Sequence, residues 1–392
     1  MKIKRQSVFA VTLMIVVLVA ASTRLRADTG TCGGATTTLP FTDVGSSFAF
    51  CFIAEIFFQG ITVGTSPTTY SPGGNVTREQ MAAFLSRTLD AGLKKGSRRA
   101  ALKQWWTPTS ADGIELTTVV GNPQLVESDG ADLWVANINS GTVSRVRASD
   151  GKLLETWTGA TLAFGVLAAK GRIFVTGQTF SGSLYQIDPR GAPGPVTTLT
   201  SSLGGTSLGI AFDGARVWTG NHAGSVSIVT LNPVSVTTAT TGFSSPVGML
   251  YDGANIWVTD EGDNTLRKLD ANGNILLTVS VGTLPQFPVF DGTNIWVPNP
   301  LSQTVTVVRA ATGAVLATLS GNGLNNPITA AFDGERILVT NRNGGSVSLW
   351  KAADLTPLGS VSTGASTLPN GACSDGLNFW ITLTGTDKLA RF

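Results

Sequence analysis

The single histidine of the chain, His222, is the one imidazole that could act as a base near neutral pH. It lies in the motif Asn221-His222-Ala223-Gly224, which is typical of a tight turn. Two interpretations stay open at this stage: a general base, or a loop histidine with no catalytic role. We find no pair of catalytic carboxylates and no Gly-x-Ser-x-Gly, Cys-x-x-Cys or phosphate-loop motif in the sequence.

Amide and carboxyl side chains recur directly after apolar triplets such as Ile-Trp-Val. The five positions are Asn137, Asn221, Asp260, Asn299 and Asn341. We expect these side chains to lie in loops of one face and, together with His222, to bind a ligand. The alternative is that Asn and Asp next to Gly-Ser or Gly-Thr only shape tight turns.

An acidic cluster follows one of these triplets. Asp260, Glu261 and Asp263 are carboxylates of the kind that bind a hard cation. The segment lacks a full set of calcium ligands, so we expect no metal and no cofactor. A Ca²⁺ or Mg²⁺ site at these three residues is the alternative.

The elements that position these residues belong to a repeat of about 41 residues. Its signature is a Gly turn followed by an apolar triplet. The copies are DGADLWV at 129, KGRIFV at 170, DGARVWT at 213, DGANIWV at 252, DGTNIWV at 291, DGERILV at 333 and DGLNFWI at 375. One short strand precedes the signature and two further apolar runs follow the triplet, so each unit contains four strands.

Triplets without polar alternation predict strands that are buried on both faces. Four-stranded units of about 40 residues in a ring form a β-propeller. The last copy ends at Phe392 after its third strand, and ADGIELTTVVG at 111–121 matches the fourth-strand segment ANGNILLTVSVG at 271–282. We therefore expect residues 114–120 to complete the last of seven blades and to close the ring.

These copies resemble YVTN and NHL repeats and, more loosely, the streptogramin (virginiamycin B) lyase-like propellers. The resemblance covers 111–392 and implies an all-β seven-bladed β-propeller. It does not imply one function, because this superfamily includes binding modules, scaffolds and enzymes. The lyases of this type use more than one histidine with a bound metal, whereas His222 stands alone in this sequence.

Residues 28–93 predict a small α-helical domain. A first helix over 47–59 carries five phenylalanines, and a helix that is apolar all round should be buried. Thr77 is a predicted N-cap with Gln80 three residues later, opening a second helix to about Leu93.

This region resembles one S-layer homology motif. The matching residues are Phe41, Asp43, Gly60-Ile61, Gly64, Tyr70, Pro72, Thr77-Arg78-Glu79, Met81, Ala82 and Leu85. The family packs three such motifs to hold cell-wall polysaccharide through the Arg of the Thr-Arg element. The resemblance therefore implies glycan contacts at Thr77 and Arg78, with a solvated Arg78 as the alternative. A single copy of about 55 residues also predicts association with itself or with another domain.

The ends of this domain are marked by charge and hydropathy. Residues 1–27, with three basic residues before the apolar run 8–21, predict a signal peptide that is either cleaved or retained as an anchor. Residues 94–110 are a predicted basic linker, and its basic stretch 94–106 ends with Trp105 and Trp106. These features predict a secreted or cell-surface protein of a bacterial envelope.

The three cysteines fit an exported chain with one disulfide. Cys32 and Cys51 lie in the same small region, nineteen residues apart, and we expect them to pair. Cys373 is then a buried thiol of the propeller.

Composition narrows the function. A formal net charge of +2 gives no basic field for nucleic acid, and 42% hydrophobic with 13% charged residues excludes a disordered chain. We expect a binding or scaffold protein of the cell envelope. Its partners would be envelope polysaccharide or surface proteins, with a homo-oligomer formed through the N-terminal domain as a further possibility. The alternative is an enzyme of the streptogramin lyase type with His222 as catalytic base.

Overall fold

The computed structural model describes residues 27–32, 35–95 and 115–392. The predicted signal peptide, apart from its last residue, and most of the predicted linker lie outside these residues. The described chain divides into two compact units, and the division falls after Thr77. No helix among the described residues is long and apolar enough to cross a membrane.

The N-terminal unit is built on a hairpin and one short helix. Strands β1 (Asp28–Cys32) and β2 (Ala35–Leu39) pair antiparallel, and helix α1 covers Phe50–Phe58. The predicted disulfide is confirmed, because Cys32 and Cys51 are bonded with their Cα atoms 5.5 Å apart. It links β1 to α1 across a core that includes Phe41 and Phe50.

The prediction that the first helix is buried all round is wrong. Phe50, Ile53 and Ala54 are buried, but Phe48 is 98% exposed and Phe52 is 68% exposed. The hairpin covers one side of the helix only. Helix α2 covers Arg78–Lys95, so its start agrees with an N-cap at Thr77, and it runs two residues past the predicted end. Lys94 and Lys95 of the predicted linker are its last residues.

The second unit is a ring of seven four-stranded antiparallel sheets, as predicted. Blade 1 consists of β4 (Pro123–Ser128), β5 (Asp132–Asn137), β6 (Thr142–Arg147) and β7 (Leu153–Thr158). Blade 2 consists of β8 (Ala163–Ala169), β9 (Arg172–Gly177), β10 (Ser183–Ile187) and β11 (Thr197–Thr200). Blade 3 consists of β12 (Ser207–Phe212), β13 (Val217–Asn221), β14 (Ser225–Leu231) and β15 (Val234–Ala239).

Blades 4 to 6 follow the same order. Blade 4 consists of β16 (Pro246–Tyr251), β17 (Ile256–Asp260), β18 (Thr265–Leu269) and β19 (Ile275–Ser280). Blade 5 consists of β20 (Val289–Phe290), β21 (Asn294–Asn299), β22 (Thr304–Arg309) and β23 (Val315–Leu319). Blade 6 consists of β24 (Pro327–Phe332), β25 (Arg336–Asn341), β26 (Ser346–Lys351) and β27 (Pro357–Ser362). Blade 7 combines β28 (Pro369–Ser374), β29 (Phe379–Leu383) and β30 (Lys388–Arg391) with β3 (Glu115–Thr118).

The closing strand is confirmed. Strand β3 pairs with β30, with Glu115 opposite Arg391 and Thr118 opposite Lys388. The first strand of each blade contacts the first strands of both neighbours around the whole ring. Closure therefore covers the edge that β30 would otherwise expose.

The first and second strands of each blade are joined by the Gly turn of the repeat signature. In five blades the turn Asp accepts a hydrogen bond from the indole N–H of the Trp five residues later, at 2.7 to 2.8 Å. We call these the Asp–Trp pairs: Asp129–Trp134, Asp213–Trp218, Asp252–Trp257, Asp291–Trp296 and Asp375–Trp380. The Gly of each of these turns has a φ between +86° and +95°, which a side chain would strain.

Each of these indoles packs against the next blade. Trp257 of blade 4, for example, shares a buried cluster with Ile295, Val297 and Val308 of blade 5. Trp380 of blade 7 contacts Val126 and Leu133 of blade 1 in the same way. The second strands are buried on both faces, as predicted, because their aromatic residues form the layers between blades.

Deletion of 111–121 tests the closure. Without β3, strand β30 becomes an exposed edge and the buried Val119 no longer covers its cluster. We expect the shortened protein to aggregate, or to melt several degrees below the full chain in a thermal scan. Leu116→Thr is the matched control, because this half-exposed side chain can change while the strand pairing is kept. A deletion variant that melts like the full chain would contradict the closure.

Candidate functional site

The two ends of the propeller channel differ in their turns. One end, the DG face, carries the Gly turns between first and second strands. The other end, which we call the Asn face, carries the turns that follow Asn137, Asn221, Asp260, Asn299 and Asn341. The first strands begin at the Asn face, since Pro246 lies opposite Asp260 and Pro327 lies opposite Asn341.

The prediction that these five side chains lie in loops is wrong. All five are the last residues of second strands, and each is 0% exposed. A molecule on the surface of the Asn face therefore has no access to them in this conformation. Their assignment as ligand contacts receives no support from this placement.

The buried amides are held by hydroxyl groups of the third strand. Asn137 Nδ2 donates to Ser144 Oγ at 2.9 Å, and Asn341 Nδ2 donates to Ser348 Oγ at 2.8 Å. Asn221 and Asn299 make the same bonds to Ser227 and Thr306. These contacts stay within one blade, so the amides fix the end of the second strand against the third.

Blade 4 replaces this amide by a carboxylate and the hydroxyl by a cation. Asp260 accepts a hydrogen bond from Arg267 Nη1 at 2.7 Å, and Arg267 Nη2 also donates to Asp263. The guanidinium thus lies between two of the three carboxylates expected at a cation site. Glu261 points to other partners, and the described residues contain no group of three His, Cys, Asp or Glu side chains suited to a metal. The Ca²⁺ or Mg²⁺ alternative at Asp260, Glu261 and Asp263 is not supported.

The structure brings His222 and Glu261 together on the Asn face. His222 Nε2 lies 2.6 Å from Glu261 Oε1, and Gln286 Nε2 donates to Glu261 Oε2 at 2.6 Å. We call these three residues the His222 cluster. They come from three successive blades: the turns after β13 and β17, and the loop before β20.

Backbone contacts between neighbouring segments fix the cluster. His222 N–H donates to Thr206 O at 2.8 Å, and Glu261 N–H donates to Ser245 O at 3.0 Å. The His222 side chain is 51% exposed and that of Glu261 is 17% exposed. The carboxylate is therefore held inside the rim while the imidazole remains open to solvent. A carboxylate on one ring nitrogen fixes the orientation of the imidazole.

A second polar group lies in blades 6 and 7 of the same face. Arg342, directly after β25, donates to Asn370 Oδ1 at 2.9 Å, and Asn370 donates in turn to Gln124 of blade 1. Among the described residues Arg342 has no carboxylate within ion-pair distance. Partial burial lowers the pKa of this guanidinium, which nevertheless remains charged. This part of the rim therefore carries a positive charge that no carboxylate of the described residues neutralises.

The channel beneath these groups is filled by apolar side chains. Phe164 of blade 2 and Phe287 of blade 5 contact each other across it, with ring centroids 5.8 Å apart. Val247 and Ile328 complete this cluster, which we call the channel plug. These residues lie at or near the starts of the first strands, so the plug occupies the Asn-face end of the channel.

The sequence missed two members of this rim for different reasons. Arg342 occupies the same repeat position as His222 and Glu261, directly after the last residue of the second strand, so an alignment of the repeats could have found it. Gln286 follows no such pattern and lies in a loop of irregular length. Only the fold brings it to Glu261.

Thr77 and Arg78 lie where the sequence predicted, at the start of α2, and Arg78 is exposed. The N-terminal unit holds its own loops with Asp43, whose carboxylate accepts hydrogen bonds from the backbone N–H groups of Tyr70 and Ser71. The Asp and Tyr of the S-layer homology pattern are thus parts of one loop closure.

Comparison with known proteins agrees with the division of the chain into an N-terminal unit and a propeller. Residues 40–82 match the family model of the S-layer homology domain. An endoglucanase from Bacillus sp. (strain KSM-635) is 34% identical over 99 residues, which are 25% of this chain and 10% of that enzyme. The chain therefore spans about a tenth of the length of this relative, and the likeness does not extend to the whole enzyme.

Solved propellers match the rest of the chain in fold. Virginiamycin B lyase from Staphylococcus aureus superposes with a TM-score of 0.61 at 14% identity, over 71% of this chain and 98% of that one. Hydrazine synthase from Kuenenia stuttgartiensis gives 0.60 at 16% identity, over 70% and 96%. At such identities the likeness shows the fold alone. The protein is a seven-bladed β-propeller preceded by a region that matches the S-layer homology domain.

Proposed function

We propose that this protein is an exported, envelope-associated binding protein of a bacterium. The N-terminal domain attaches it to the envelope or to further copies of itself, and the Asn face of the propeller binds a ligand. The observation that carries the second part is the rim of the Asn face. The His222 cluster offers a solvent-open imidazole backed by a carboxylate, and Arg342 offers a positive charge that no carboxylate of the described residues neutralises.

The chemistry of the rim narrows the ligand. An unpaired guanidinium favours carboxylate, sulfate or phosphate groups, and the imidazole can exchange hydrogen bonds with hydroxyl or amide groups. Phe180, 95% exposed in the turn of blade 2, adds apolar surface on the same face. An acidic envelope polysaccharide or an acidic surface peptide has this combination. The S-layer homology match at 40–82 supports an envelope location, with Arg78 as the proposed glycan contact.

An enzyme of the streptogramin lyase type is the second candidate, and one observation favours it. The 2.6 Å contact between His222 and Glu261 is the arrangement of a general base oriented by a carboxylate. The residues around it do not fit a metal centre, because both oxygens of Glu261 are already hydrogen-bonded, by His222 and by Gln286. We therefore propose binding as the function.

An experiment on the Asn face separates the two candidates. The purified full chain is applied to an array of acidic glycans and peptides, and the bound compounds, together with linear and cyclic lactones, are then incubated with the protein and analysed by mass spectrometry. We expect acidic compounds to bind and every compound to remain intact. Arg342→Gln should weaken binding at least tenfold, which is the usual cost of losing a charge-assisted hydrogen bond. Arg78→Ala should weaken binding to envelope polysaccharide only.

Matched controls make this test specific. Arg147→Gln removes an exposed arginine on the opposite face and should leave binding unchanged. Binding that is unaffected by Arg342→Gln would refute the proposed face. Ring opening of a lactone that disappears in His222→Ala would overturn the binding proposal in favour of the lyase.

Self-association of the N-terminal domain rests on a different observation. Phe48 and Phe52 are exposed to solvent. The motif that carries them is normally present in several copies, so this apolar surface is suited to contacts between copies of the chain. We expect sedimentation velocity of the full chain to show an oligomer, and we expect Phe48→Ser with Phe52→Ser to shift it to the monomer because the apolar contact is lost. Phe180→Ser is the control, since it removes an equally exposed phenylalanine of the propeller. A monomeric wild-type protein, or dissociation by Phe180→Ser alone, would contradict this.

A further inference from the structure

A cavity of about 270 Å³ lies in the channel toward the DG face. All seven blades line it through their first strands or the residues next to them, and most of its wall is apolar, including Val166, Ile210, Met249 and Phe287. Phe287 also belongs to the channel plug, so the plug lies between the cavity and the Asn face. Its volume lies just below the roughly 300 Å³ at which pockets for drug-sized ligands begin.

Two polar groups in this wall have no partner. The carboxylate of Glu127 forms no ion pair and no hydrogen bond with any described residue, although the side chain is half-buried. The hydroxyl of Thr329, a residue that is 6% exposed, is buried and also unpaired. Buried polar atoms without a partner are uncommon inside proteins, and the Thr329 hydroxyl carries a desolvation cost that a ligand can remove.

The electrostatics of the cavity select a cation. Burial raises the pKa of Glu127 to about 7, because the apolar wall disfavours its charged form. Burial also raises the pKa of the Cys373 thiol, and the nearby charges of Glu127 and Asp375 raise it further. Among the residues that the structure describes, no basic side chain lines the cavity. A positive ligand would supply the missing counter-charge, whereas an anion would be repelled.

We propose that this cavity binds a small, largely apolar molecule that carries a primary ammonium group. The ammonium pairs with the carboxylate of Glu127, and the apolar body lies against Met249 and Phe287. The hydroxyl of Thr329 is available for one further hydrogen bond. A single aromatic ring with a short aminoalkyl chain matches the size of the cavity.

Three probes of similar shape test the charge requirement. They are 2-phenylethylamine, 2-phenylethanol and phenylacetate, titrated into the full chain by calorimetry. We expect the amine to bind at least tenfold more tightly than the alcohol, and the acid not to bind. In Glu127→Gln the affinity for the amine should fall at least tenfold, while Asp150→Asn, which removes an exposed turn carboxylate, should leave it unchanged.

Cys373 reports where the probe binds. Cys32 and Cys51 are in a disulfide, so Cys373 is the one free thiol, and it lines the cavity. Saturating amine should slow its modification by methyl methanethiosulfonate at least tenfold, as followed by intact mass. If Glu127→Gln does not fold, Ala372→Leu gives a second test, because the added side chain fills the cavity and should abolish binding.

Several results would overturn the proposal. They are equal binding of the acid or the alcohol, unchanged affinity in Glu127→Gln or in Ala372→Leu, binding without protection of Cys373, and no binding of any of the three probes.

Discussion

The hydrogen bond between a turn aspartate and a buried tryptophan is the interaction on which the propeller depends. In each Asp–Trp pair one carboxylate oxygen accepts the indole N–H and the other accepts backbone N–H groups of the turn, as Asp252 does for Ala254 and Asn255. One side chain thus closes the Gly turn and fixes the indole. The indole then forms the contact with the next blade, so local turn geometry sets the spacing of the ring. Burial alone would raise the pKa of Asp213, but the bonds from Trp218 and the turn outweigh it and the pKa is lowered.

Blades 2 and 6 lack the Asp–Trp pair and form the contact with the next blade through other side chains. In blade 6 the turn residue Asp333 accepts from Arg336 Nε at 2.8 Å, and the guanidinium of this fully buried arginine lies 4.9 Å from the ring centre of Phe379 in blade 7. The guanidinium and the hydrocarbon stem of Arg336 therefore replace the indole in the contact with the next blade. Blade 2 has Lys170 in place of the aspartate, and Phe174 supplies the contact with Val217 of blade 3 without a polar bond. Blades 2 and 6 keep the contacts of their first strands with both neighbouring blades, so the ring accepts different chemistry at His222, Glu261 and Arg342.

The sequence predicted the fold better than the site, for a physical reason. Repeat length, the buried triplets and the matching segment at 111–121 are backbone-level patterns, and they determine seven blades and their closure. The same periodicity could not show that Asn137 or Asn341 ends a strand rather than begins a loop, because the hydroxyl groups that bury these amides lie on the next strand. The approach of His222 to Glu261 depends on blade spacing, and that of Gln286 on an irregular loop. Glu127 and Thr329 are far apart in sequence and meet one cavity only because the ring is closed.

A double-mutant cycle on one Asp–Trp pair tests the central claim most directly. Asp252→Ala, Trp257→Phe and the double variant are unfolded with urea, and the coupling free energy is compared with that of Asp252 and Trp134, a tryptophan of a blade that does not neighbour Asp252. A hydrogen bond to a charged group predicts a coupling of about 1.5 to 3 kcal/mol for the first cycle and about zero for the second. A coupling below about 0.5 kcal/mol between Asp252 and Trp257, within the error of additive changes, would contradict the dependence of the blades on this bond.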